Sequence, residues 1–90
     1  MCTSIVEIVP AEGAGKLNNR WFPLTQAVVA YDHSRHALFD DGIAIDFVNA
    51  EMGPGTRTSV ELSLDTAKAL SAALIRAIEA AELEEAGRGL

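Results

Sequence analysis

Residues 63–83 read SLDTAKALSAALIRAIEAAEL. Ala67, Leu70, Leu74, Ala77, Ile78 and Ala81 recur at three- and four-residue steps, with Asp65, Lys68, Ala72, Arg76 and Glu79 opposite them. That is the period of an α-helix with one apolar stripe and one wet face. Ser63 is a good N-cap residue, and Asp65 places negative charge in the first turn, where the helix dipole is positive. At the far end Glu82, Glu84 and Glu85 oppose the dipole and Gly87 can terminate the helix. The spacing therefore predicts a helix near 64–83, fraying into a tail over 84–90.

Upstream of this helix the period changes to two. Thr3 to Val9 is rich in β-branched residues and stops at Pro10, which cannot donate to a sheet ladder. Ala11 to Pro23 holds Gly13, Gly15, Asn18 and Asn19 and reads as a loop carrying Trp21 and Phe22. Strand character returns over Leu24 to Tyr31, breaks at Asp32 to Gly42, and resumes over Ile43 to Asn49 with Ile43, Ile45 and Phe47 on one side. Met52-Gly53-Pro54-Gly55 is a turn, followed by alternation over Arg57 to Leu62. The last two strands are too closely connected for parallel pairing and form a hairpin. Strands near 3–9, 24–31, 43–49 and 57–62 predict an α+β fold: an antiparallel sheet of about four strands in β-β-β-β-α order. The C-terminal amphipathic helix is expected to pack on one face of it, its alanines permitting close approach.

Ninety residues suffice for a single domain spanning 1–90 and for no second core. The composition is 49% hydrophobic but 6% aromatic, so the core is aliphatic and lean, and a second subunit is expected to cover leftover apolar area. The net charge of −6 is spread along the chain, with no basic stripe to neutralise phosphates, which argues against nucleic-acid binding. No apolar run is long enough to span a bilayer, and Met1-Cys2-Thr3-Ser4-Ile5 lacks the charged and apolar regions of an export signal. With one cysteine and no intramolecular disulfide, the expected location is the cytoplasm.

Chemistry concentrates in Asp32-His33-Ser34-Arg35-His36, which sets both histidines just after a strand. Two imidazoles joined by Cys2 and Asp41 supply ligand types that suit zinc or another transition metal, although a closed zinc site needs four ligands. The competing reading is a polar loop whose histidines only hydrogen-bond. Cys2 reads either as a small buried hydrophobe or as a thiol paired with His33 or His36. Asp46 interrupts an apolar strand and is expected on a solvent face. Gly13-Ala14-Gly15-Lys16 lacks the spacing of a phosphate loop, and no nucleophile elbow, Cys-x-x-Cys pair or His-Glu-x-x-His helix occurs. Trp21, Phe22 and Tyr31 could wall an aromatic pocket for a small ligand, or the first two could cover the sheet edge.

Met1-Cys2-Thr3, Trp21-Phe22-Pro23, Tyr31-Asp32-His33-x-x-His36-Ala37, Ile45-Asp46-Phe47-Val48-Asn49, Gly53-Pro54-Gly55 and Val60-Glu61-Leu62-Ser63 together resemble a family of small bacterial proteins of unknown function. The resemblance spans nearly the whole chain and implies a compact domain. The family's pattern has a further His near the position of Asp41, so the resemblance implies a metal set one imidazole short here. It implies no substrate.

The sequence thus favours an accessory or binding module acting as a homodimer, with no nucleic-acid or membrane partner. Two other readings use the same residues: a small metal- or thiol-dependent enzyme built on Cys2, His33 and His36, and a carrier with an aromatic-lined pocket. No motif decides whether the chain is an enzyme.

Overall fold

The computed structural model describes residues 5–88. Six strands precede one helix: β1 (Val6–Pro10), β2 (Ala14–Leu17), β3 (Arg20–Pro23), β4 (Gln26–His33), β5 (Asp41–Val48), β6 (Arg57–Leu62) and α1 (Leu64–Arg88), with a short 3-10 turn at Ala50–Met52. The four long-sequence strands form one antiparallel sheet in the order β1-β4-β5-β6, and β2 and β3 pair separately. The α+β class, the antiparallel sheet and the C-terminal helix are as the sequence predicts. The predicted first strand begins at Thr3, outside the described residues.

Three local expectations are corrected. The stretch before Pro23 is a hairpin as well as a loop: Asn18 and Asn19 both have positive φ, 51° and 64°, the conformation of a two-residue turn whose twist matches its flanking strands. Strands β4 and β5 extend two residues further toward their shared loop, to the rung that sets His33 opposite Asp41. The helix runs through Gly87 to Arg88 and does not fray at Leu83. Its start is as expected, with the Thr66 N–H donating to Ser63 Oγ at 3.1 Å.

The register separates two faces. Val29, Ile45 and Val60 form one row, with Tyr31, Ile43 and Leu62 beside it, so one face is apolar across the three strands. The other is mixed: Ala30, Ala44 and Glu61 share a row, and Val28, Asp46 and Ser59 share the next. The core lies at the hairpin end. Among the described residues, Phe22, Ala27 and Val48 are the buried apolar side chains, and Asn49 is buried with them. Asn49 donates to the Pro23 carbonyl at 2.8 Å and accepts from the Glu51 N–H at 2.9 Å, tying β3 to the 3-10 turn. Thr25 Oγ1 accepts from the Ala50 N–H at 2.9 Å, and the Thr58 hydroxyl donates to the Lys16 carbonyl at 2.7 Å, drawing the hairpin against β6.

The helix is the largest departure. It was expected to lie on a sheet face, yet none of its residues is buried. Its first turns lean over Ile43, leaving an open wedge lined by Leu64, Ala67, Ser71, Ala72 and Ile75. Leu70, Leu74 and Ile78 are each about half exposed. The chain's accessible surface is 7003 Å² at 9.6 kDa, where a compact monomer of that mass exposes about 5,100 Å². The radius of gyration is 15.4 Å, against about 12 Å for a compact domain of this length. The exposed helix contributes to both excesses, as do the exposed apolar residues of β1, Val6, Ile8 and Val9.

Candidate functional site

The loop 34–40, between β4 and β5, carries the residues that the sequence singled out, and two devices fix it. At its base the His33 and Asp41 side chains stand directly opposite each other on the last rung of the ladder, the geometry in which cross-strand side chains meet. His33 Nδ1 lies 2.5 Å from Asp41 Oδ1. A carboxylate only accepts, so the ring N–H at Nδ1 donates in this bond. The pair is roughly half exposed. The Ser34 N–H donates to the Asp40 carbonyl at 2.9 Å and closes the loop.

The second device is Glu61. From the mixed face of β6 its carboxylate accepts three successive backbone N–H groups, those of Arg35 at 2.9 Å, His36 at 2.9 Å and Ala37 at 2.8 Å. These bonds, Arg35's foremost and then those of Ala37 and His36, hold the Glu61 carboxyl down to about 2 from its ordinary 4.5; they stabilise the ionised form directly. Sequence reasoning missed Glu61 because it fills an ordinary polar position in an alternating strand, and its three partners lie some two dozen positions earlier. Its place in the resemblance motif was the only signal available.

Phe39 is fixed by sterics. A Cβ on Gly42 would stand 2.3 Å from the Leu62 carbonyl oxygen and 2.5 Å from the Phe39 ring, so a glycine is what lets that ring and the neighbouring strand approach together. Leu38, by contrast, is wholly exposed at the loop's tip.

Around the loop lies an open, polar depression on the mixed face, bordered by Asp32, His33, Arg35, His36, Asp46, Arg57, Ser59 and Glu61. Asp46 is half-buried there and paired with Arg57, Oδ2 to Nη1 at 3.1 Å, while Arg57 Nε donates to the Pro54 carbonyl. It sits on the open mixed face with a partner, so its charge needs no further compensation.

The named candidates are therefore placed as follows. His33 and Asp41 meet. His36 borders the same depression, and it is its backbone N–H that donates to Glu61. Among the described residues no group of three or more His, Cys, Asp or Glu side chains could hold a metal ion. Cys2 lies outside the described residues. Phe22 is buried, whereas Trp21, next to it on β3, is 68% exposed, with Lys16 Nζ 5.9 Å from its ring centroid. Neighbouring strand residues point to opposite sides, which accounts for this contrast. Both border a cleft with Leu17, Arg20, Met52 and Thr56; Tyr31 is not among its lining residues and stands opposite Ile43 in the main sheet.

No helix among the described residues is long and apolar enough to cross a membrane. Residues 1–87 match the model of a family described as a family of unknown function (DUF6295), and the chain belongs to that family. No curated protein and no solved structure matches it.

Proposed function

We propose that this family member is a non-enzymatic binding module that works as a homodimer. The observation that carries the reading is the helix of 25 residues with no buried side chain, set beside an apolar sheet face that is only half-buried and leaves Phe47 and Val60 exposed. A chain with three buried apolar side chains among its described residues has little to set against the conformational entropy of folding. About 1,900 Å² of surface beyond that of a compact monomer is what an obligate partner would cover. The loop latched by Glu61 and the depression beneath it support a recognition role: two guanidinium groups and three carboxylates in an open cleft suit a polar or peptide-like ligand better than an apolar one. A single-domain chain with one cysteine suits the cytoplasm. Sedimentation equilibrium tests the dimer, and a monomeric mass across the micromolar range removes it.

The pairing of His33 with Asp41 favours one second reading, a metal-dependent site. An imidazole oriented by a carboxylate through one nitrogen presents the other to a metal. In that reading Asp41 orients His33 and does not ligate, and His36 with Cys2 would complete the set. Elemental analysis of untagged protein, with His33→Ala and His36→Ala as controls, decides it: absence of stoichiometric metal ends this reading.

A further inference from the structure

We infer that the two copies exchange helices, each laying its apolar stripe on the apolar sheet face of the other. This rests on the homodimer proposed above and specifies how it is built. Of the apolar stripe only Ala67 lines the wedge above the chain's own Ile43, beside Leu64, Ser71 and Ile75, whereas Leu70, Leu74 and Ile78 do not line it and are each about half exposed. The stripe is therefore free for a partner while its neighbouring residues already lean toward their own sheet. At 1.5 Å per residue the helix is about 37 Å long, and the residues that line the wedge above Ile43 lie within its first half, Leu64 to Ile75. Thirteen helical residues, 76–88, continue beyond the last that lines that wedge.

The sheet offers the complementary surface. Val29, Ile45 and Val60 make an unbroken apolar row across β4, β5 and β6. Val60 and Phe47 remain exposed although their strands are paired. Helix-to-helix pairing alone would leave Val60 and Phe47 exposed. Exchange covers stripe and row together, and does so twice about one two-fold axis, as an isologous interface requires. The surface excess of each copy, taken for two copies, comes to about 3,800 Å², inside the range of obligate homodimers. A second copy thus accounts for the uncovered helix, the half-covered sheet face and the size of the excess at once.

The test uses full-length chains in which Cys2→Ser removes the native thiol. One chain carries Leu74→Cys and the other Ile45→Cys; they are co-expressed, purified and treated with a short bismaleimide, and products are resolved by mass. Exchange predicts a covalent heterodimer of the two variants as the main product. Sedimentation before cross-linking supplies the second readout. Dimers in which Leu74→Cys chains link only to each other overturn exchange and leave the homodimer standing. A monomeric mass overturns both. Linkage within one chain of a Leu74→Cys, Ile45→Cys double variant means that the helix folds back on its own sheet, which also overturns exchange. Val60→Cys replaces Ile45→Cys should the latter fail to fold, judged by circular dichroism.

Discussion

The hairpin end and the helix are built from similar aliphatic residues and meet opposite fates. Around β2 and β3, Phe22, Ala27 and Val48 are buried, and Asn49 spends its amide on the Pro23 carbonyl and the Glu51 N–H. Along α1 no residue is buried, and Leu70, Leu74, Ile75 and Ile78 are all about half exposed. The first region closes within one chain because a two-residue turn brings it back over the sheet. The second is one continuous rod with no residue buried along its length, and its own chain does not close it. Apolar composition is thus not the same as core: connectivity decides which apolar residues a chain can bury by itself.

The difference can be broken most strongly on the helix. Leu70→Glu combined with Leu74→Glu places two carboxylates where a partner's sheet is expected, and an unpaired buried charge costs several kcal/mol. The expected outcome is a monomeric or unfolded chain by light scattering and circular dichroism, whereas a variant of unchanged mass and melting temperature would show the stripe to be ordinary solvent-facing surface. Asn49→Ala probes the other region. It leaves the Pro23 carbonyl and Glu51 N–H without partners, and about 1–3 kcal/mol of stability should be lost in chemical denaturation; the mass should not change. A smaller effect, within about 1 kcal/mol, is expected for Arg57→Ala, because its ion pair with Asp46 is largely open to solvent. Denaturation midpoints measure that as well.

The most local prediction concerns Glu61. Its folded carboxyl lies below the unfolded value, so its contribution is complete above about 4.5 and is lost as pH falls through about 2. The amide signals of Arg35, His36 and Ala37 should therefore titrate together near pH 2, and Glu61→Gln should abolish that step. An inflection near 4.5 would show that the carboxylate does not hold the loop.

Much of this was legible in the sequence. The alternation of Ile43, Ile45 and Phe47, the cap at Ser63 and the three-to-four spacing of the helix are local signals, and each is realised. Asn18-Asn19 was also a readable hairpin signal, masked by the surrounding glycines. Two features could not be read. Nothing local marks Glu61 as the acceptor for a loop preceding it by some two dozen residues, since burial and hydrogen bonding across strands depend on register. Helical periodicity shows that a stripe needs cover but not whether the cover comes from the same chain. The metal candidates illustrate the same limit: residue type names Asp41 as a ligand, and only the register reveals that it stands opposite His33.

The central claim is that the helix is completed by a second copy. Sedimentation equilibrium of the untagged full-length protein at several concentrations tests it most directly. The account predicts twice the chain mass of 9.6 kDa, with a melting temperature that rises with concentration. A cooperatively folded species of single-chain mass, with a melting temperature independent of concentration, would contradict it.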